Sequence, residues 1–185
     1  MLLIIGLISR LLVFLYSVVY LVMIRPATEH DAHAIAEIYN YFVVNTVVTF
    51  EEEPVTVVEM WQRISEVQKK YPWLVYELDC RVVGYAYAGP WKVRTAYRFT
   101  VESSIYLAPG HTGKGMGTQL YTALINELRM LDVHAVIGGA AMPNGASVKL
   151  HESLKFKKIG QFIETGFKFG KWVDVCYWQL LLGDN

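Results

Sequence analysis

The sequence predicts a single mixed α/β domain with its strands clustered in the middle and at the end of the chain. Three observations predict it. Apolar residues recur every three to four positions over several stretches, as on the buried faces of helices. Other stretches gather β-branched and aromatic residues in short runs bounded by Gly, Pro and Asp. No linker, repeat or low-complexity tract divides the chain, whose 185 residues are 54% apolar and 18% charged: enough for one substantial core, and too apolar for disorder.

Ile24-Arg25-Pro26 reads as a short strand ending at proline. Asp31 is placed to cap a helix that starts at Ala32 and carries Ile35, Ile38, Tyr39 and Phe42 at helical spacing. Residues 56–70 form the second predicted helix, with Val57, Met60, Trp61, Ile64 and Val67 on one face and Pro72 beyond it. Residues 73–77 and 81–88 are β-rich and flank Leu78-Asp79-Cys80, a tight connection. Residues 97–107 read as a strand with Phe99, Val101, Ser103 and Ile105 alternating. A helix over about 115–131 puts Met116, Leu120, Leu124 and Leu128 on one stripe. A short strand at 134–138 and a helix at 143–154 follow, then two strands, 156–169 and 172–182, turning at Gly170-Lys171.

The segment 1–22 is almost wholly apolar, interrupted by Gly6, Ser9, Arg10 and Ser17. Three readings stand: a membrane anchor of about 20 residues, a gene-model extension ahead of a true start at Met23, or a packed structural helix. It makes a poor signal peptide, with no charge before the apolar run and no small-x-small site after it. The domain is therefore expected over residues 23–185, cytoplasmic, with membrane attachment only through the prefix.

Formal net charge is zero, so there is no basic excess to neutralise phosphates and nucleic acid is not expected as a partner. Cys80 and Cys176 form no CxxC pair and read as two reduced thiols, with a disulfide left open. His30, His33, His111, His134 and His151 show no ligand spacing with Cys or carboxylates, so no metal site is expected.

The stretch Gly110-His111-Thr112-Gly113-Lys114-Gly115-Met116-Gly117-Thr118 follows a predicted strand and opens a helix. Such a turn aims several backbone N–H groups at one spot beside the positive end of the helix dipole, which suits a phosphate. A Walker A loop would need Gly at 108 and Ser or Thr at 115, where the chain has Ala108 and Gly115. The GxGxxG dinucleotide fingerprint would need Gly at 118, where the chain has Thr118. A pyrophosphate from a different cofactor fits better; a flexible glycine-rich surface loop is the bland alternative.

On these residues the chain resembles the GCN5-related N-acetyltransferase (GNAT) superfamily, in which a Q/R-x-x-G-x-G/A turn holds the pyrophosphate of coenzyme A. Thr112-Gly113-Lys114-Gly115-Met116-Gly117 matches except at Thr112. Asn144, Ser147, His151, Glu152, Leu154 and Phe156 resemble the late helix motif N-x-x-A-x-x-x-Y-E-x-x-G-F, with His151 at the Tyr position and Lys155 at a Gly position. A β-carbon in a left-handed helix end costs about 1 kcal/mol, so a locally different turn is expected at Lys155. Tyr71-Pro72-Trp73, the run from Tyr85 to Lys92, Glu102-Ser103, Gly166-Phe167-Lys168 and Tyr177-Trp178-Gln179-Leu180 resemble one branch, the phosphinothricin and methionine sulfoximine/sulfone acetyltransferases.

The resemblance implies a mixed sheet of six to seven strands flanked by about four helices. It implies acetyl-CoA as co-substrate, a small amino-acid-like amine as acceptor, direct attack in a ternary complex, no metal, and a homodimer. It assigns Glu102 as general base and His151 to proton transfer. It assigns Ile105, Tyr106 and Leu107 to the pantetheine arm, the turn Thr112, Gly113, Lys114, Gly115, Met116, Gly117 and Thr118 to the pyrophosphate, and Asn144 and Ser147 to the cofactor. Trp91, Lys92, Arg94 and Tyr97, with Phe50, are implied at the acceptor. A non-catalytic acyl-CoA-binding module and a protein N-terminal or lysine acetyltransferase of the same fold are the alternatives.

Overall fold

The computed structural model describes residues 21–183. The expectation for segment 1–22 therefore lies almost wholly outside the described residues. Among those described, no helix is long and apolar enough to cross a membrane.

The chain runs β1 (Val22–Pro26), α1 (Ala32–Asn45), α2 (Val57–Gln68), β2 (Trp73–Leu78), β3 (Arg81–Pro90), β4 (Thr100–Leu107), α3 (Met116–Arg129), β5 (Ala135–Ala141), α4 (Gly145–Ser153), β6 (Lys157–Lys168) and β7 (Lys171–Leu181). The strands form one seven-stranded sheet in the order β1-β2-β3-β4-β5-β7-β6. β4 and β5 are parallel, and α3 is their crossover; the other neighbours are antiparallel.

Alternation along β2 sends Trp73 and Val75 to one face and Leu74 and Tyr76 to the other. The first face packs on α1 and α2 through Ile35, Val43, Met60 and Ile64. The second packs on the α3 stripe Leu120, Leu124 and Leu128, all fully buried, together with Val101, Val136 and Trp178. Thr56 caps α2, its hydroxyl accepting from Glu59 N at 3.2 Å while the Glu59 carboxylate accepts from Thr56 N at 3.0 Å.

Several local expectations change. Asp31 does not cap α1 with its side chain. Its carboxylate instead accepts from Thr28 N (2.7 Å) and pairs with Arg25 (2.7 and 2.8 Å), tying the helix entry to β1. Val57, expected on the buried face of α2, is its first residue and stands exposed. β4 begins at Thr100, because Tyr97 lies in a 3₁₀ turn (Thr95–Tyr97) closed by Tyr97 N–H to Arg94 O and Arg98 N–H to Thr95 O. The turn at Lys155 is not locally different: Lys155 takes φ +68°, the left-handed conformation usually given to Gly, and Phe156 N–H closes it onto His151 O at 3.0 Å. Cys80 and Cys176 are free thiols, the first exposed in the β2–β3 turn and the second buried.

Candidate active site

The site begins with a break in the sheet. β4 and β5 pair only from Thr100↔Ala135 to Ser103↔Gly138. Beyond that point residues 104–107 of β4 and 139–141 of β5 diverge, while β5 stays paired with β7. The divergence exposes backbone polar groups on both strands to whatever enters the gap.

A groove of about 600 Å³ occupies that gap. Ser103, Ser104, Ile105, Tyr106 and Leu107 form one wall, Thr112, Gly113, Gly115, Gly117 and Thr118 one end, and Asn144, the N-cap of α4, with Ser147, Leu150 and His151 of α4 the other side. The glycine turn adopts backbone conformations that explain its composition: φ is +75° at Gly113 and +80° at Gly115, the N-cap of α3. Gln119 N–H makes the first main-chain bond of the helix, to Gly115 O at 3.1 Å. The N–H groups of Met116, Gly117 and Thr118 precede it and meet no helix carbonyl. At Gly113 and Gly115 a β-carbon would find open space. A diphosphate fits this cradle on chemistry and on room.

His151 is buried on the groove side of α4, 3% exposed. It stacks on Trp178 (centroids 5.0 Å, 15°) and meets Phe156 edge-on at 5.1 Å. Its hydrogen bonds fix its proton. Nδ1 lies 2.8 Å from Ser147 O, a carbonyl that only accepts, so Nδ1 carries the hydrogen. Burial holds the imidazole pKa below its ordinary value, with the Ser147 bond opposing. The neutral ring therefore presents a lone pair at Nε2, 3.3 Å from the Tyr121 hydroxyl, which lies 2.7 Å from Ser103 Oγ. Gly138 is glycine for this reason: a β-carbon there would stand 2.2 Å from Nε2.

A second cleft, of about 510 Å³, adjoins the groove. The two share Val48, Tyr106, Gly139 and Ala140, so they meet where β4 and β5 part. Glu102 and Tyr177 line this cleft, with Thr49 and Phe50 from the α1–α2 loop and Thr165, Gly166 and Phe167 from β6. Burial raises the Glu102 pKa, and the Lys92 ammonium pulls it back. A partly buried carboxylate with no ion-pair partner among the described residues, at the junction of two cavities, is suited to taking a proton.

The remaining predicted residues divide. Trp91 packs edge-on against Tyr177 (5.7 Å), with the Lys92 ammonium 4.5 Å from the Trp91 ring, which places this pair beside the cleft. Arg94 and Tyr97 stand exposed on the following turn and line neither cavity. Lys114 and Met116 contribute to the turn through backbone rather than groove-lining side chains, Met116 packing against the core. Sequence reasoning missed Ser103 as a network member, Tyr121, Gly138, Gly139 and Tyr177. Tyr121 carried a usable signal: an aromatic hydroxyl inside the otherwise apolar face of α3. Among the described residues no group of three His, Cys, Asp or Glu side chains is arranged to hold a metal.

Comparison with known proteins agrees with this geometry. The family profile of the acetyltransferase (GNAT) domain matches residues 24–177. A phosphinothricin N-acetyltransferase of Streptomyces viridochromogenes is 41% identical over 158 residues, 85% of this chain and 86% of that one. An L-methionine sulfoximine/L-methionine sulfone acetyltransferase of Salmonella typhimurium is 38% identical, covering 88% and 95%. The structure of yncA, a putative acetyltransferase from Salmonella typhimurium with its cofactor acetyl-CoA, superposes with a TM-score of 0.86 at 37% identity, covering 89% of this chain and 96% of that one. A ribosomal-protein-alanine N-acetyltransferase from Brucella melitensis superposes with a TM-score of 0.84 at 37% identity, covering 86% and 99%. The split sheet, the glycine turn at the head of α3 and these similarities together place the chain in the GNAT acetyltransferase family.

Proposed function

We propose that the protein transfers the acetyl group of acetyl-CoA to the amino group of a small amino-acid-like acceptor such as phosphinothricin, methionine sulfoximine or methionine sulfone. The single observation that carries this reading is the meeting of the groove and the cleft at Gly139 and Ala140, beside Glu102. The donor takes the groove, with its diphosphate on the turn and its pantetheine along residues 104–107. The acceptor takes the cleft between Phe50, Glu102 and Tyr177.

The acceptor amine is an ammonium ion at neutral pH and cannot attack until it loses a proton. Glu102 accepts that proton, directly or through water. The nitrogen lone pair then forms the C–N bond to the thioester carbonyl, the C–S bond breaks, and the thiolate leaves with the electron pair. The second amine proton balances the thiolate, and the Tyr121–His151 pair is placed to pass it. Holding both substrates in line removes the need for a covalent enzyme intermediate.

The acidic limb of kcat/KM for the acceptor follows from the sign of the Glu102 shift. Burial raises its pKa above the ordinary value, so the base form is lost at a higher pH than for a free carboxylate. Lys92→Met removes the charge that opposes this shift. The limb is expected to move to higher pH, measured as kcat/KM for the acceptor across pH; a limb that stays put would detach Lys92 from Glu102.

The reading extends to a cytoplasmic homodimer. Its support is the exposed apolar run Ile159, Phe162, Ile163, Phe167 and Trp172 on β6 and β7, which a second copy would cover, and two free thiols suited to a reducing compartment.

The test is acetyl-CoA-dependent thiol release with phosphinothricin, methionine sulfoximine, methionine sulfone, ordinary amino acids and an alanine-terminated peptide. Turnover on the first three supports the assignment. Turnover on the peptide alone would favour protein N-termini, the reading that the likeness to the Brucella melitensis enzyme supports. Acetyl-CoA binding without turnover on any acceptor would favour a binding module.

A further inference from the structure

Lys168, the last residue of β6, is a buried cation that the proposed chemistry does not use. It is 1% exposed, and its ammonium donates to Thr49 O at 2.8 Å. Its other neighbours are the Phe169 ring, 5.1 Å away, and the charges of Glu51 and Glu52, which oppose the lowering of its pKa by burial. Burying an ammonium is unfavourable unless something specific is gained.

What is gained is the position of the loop between α1 and α2. Thr49 is held from both sides: its carbonyl by Lys168, and its hydroxyl at 2.8 Å from the Tyr39 hydroxyl of α1. The next residue is Phe50. Its ring occupies the space over Gly166, where a β-carbon would stand 2.1 Å from it. Gly166 and Lys168 are two apart on one strand and so share a face. The same face thus makes room for the Phe50 ring at one position and fastens the preceding carbonyl at the next.

We propose that Lys168 is a positioning residue for the acceptor: by holding Thr49 O it sets Phe50 against Gly166 as the wall of the cleft, and so governs acceptor affinity and side-chain selectivity. This rests on the reading of the cleft as the acceptor site. Lys168 lines neither cavity and acts through the loop rather than on the substrate.

The experiment compares Lys168→Met, Lys168→Gln, Lys168→Arg and Gly166→Ala with the parent. It reads KM and kcat for L-methionine sulfone and L-phosphinothricin, and acetyl-CoA affinity by calorimetry. Lys168→Met is expected to raise acceptor KM about tenfold, the size of one lost charge-assisted hydrogen bond. It should alter the preference between the two acceptors and leave acetyl-CoA affinity unchanged, and Lys168→Arg, which keeps a donor, should recover most of the loss. If Gly166→Ala raises acceptor KM and Lys168→Met does not, the positioning role is wrong and the cleft assignment stands. If neither changes acceptor kinetics, the cleft assignment fails and this proposal with it. Equal losses of donor and acceptor binding, or failure of both Lys168→Met and Lys168→Gln to fold, would make Lys168 a general structural residue and overturn the proposal.

Discussion

Replacing Glu102 with Gln is expected to lower kcat by about 10²–10⁴-fold, the range for loss of a positioned general base, while acetyl-CoA binds as before. The separation follows from the architecture. Glu102 lines the cleft and not the groove, so the contacts proposed for the donor are untouched. Gln preserves shape and sits in an environment that already disfavours the carboxylate charge, so folding should not suffer. Steady-state thiol release paired with calorimetric titration of acetyl-CoA checks this. Retained turnover would remove Glu102 from the chemistry.

Gly138→Ala should damage both stability and turnover. The new β-carbon would be 2.2 Å from His151 Nε2 and 2.7 Å from its Cδ2. The ring cannot easily retreat, with Trp178 stacked on it and Phe156 and Tyr121 against its edges. Overpacking of this kind costs about 1–3 kcal/mol, or roughly 2–12 °C in Tm for a domain of this size. Because the displaced group is the histidine we propose for proton transfer, kcat should fall as well. Adding His151→Ala removes the atoms in collision, so the double variant should be destabilised by less than the sum of the two single changes, without regaining activity. Thermal melts of the two single variants and the double variant measure this directly; strictly additive destabilisation would mean that the two residues do not oppose one another.

Local chemistry made much of this molecule legible in sequence. The α3 stripe of Leu120, Leu124 and Leu128 showed the helix and its buried face, and the spacing of Gly113, Gly115 and Gly117 marked a turn that needs bare backbone. Asn144, Ser147 and His151 could be placed on one helix. The losses have a common cause: they depend on which strands become neighbours. The parting of β4 from β5 after Ser103↔Gly138 has no signature in either strand. Nor does the approach of the His151 ring to Gly138, or of Phe50 to Gly166, since each glycine is explained by a side chain distant in sequence. Asp31 and Tyr97 failed differently. Asp31 found a stronger partner in Arg25 than a helix end, and the turn at Tyr97 stopped an apparently alternating strand short.

The most direct measurement is a crystal structure of the protein with coenzyme A and methionine sulfone bound together. The diphosphate is expected on the amides of residues 113–118, the thiol arm between residues 104–107 and 139–141, and the acceptor nitrogen facing Glu102 where the two cavities meet. An acceptor bound away from Glu102, or coenzyme A lying outside the β4–β5 gap, would contradict the proposed function.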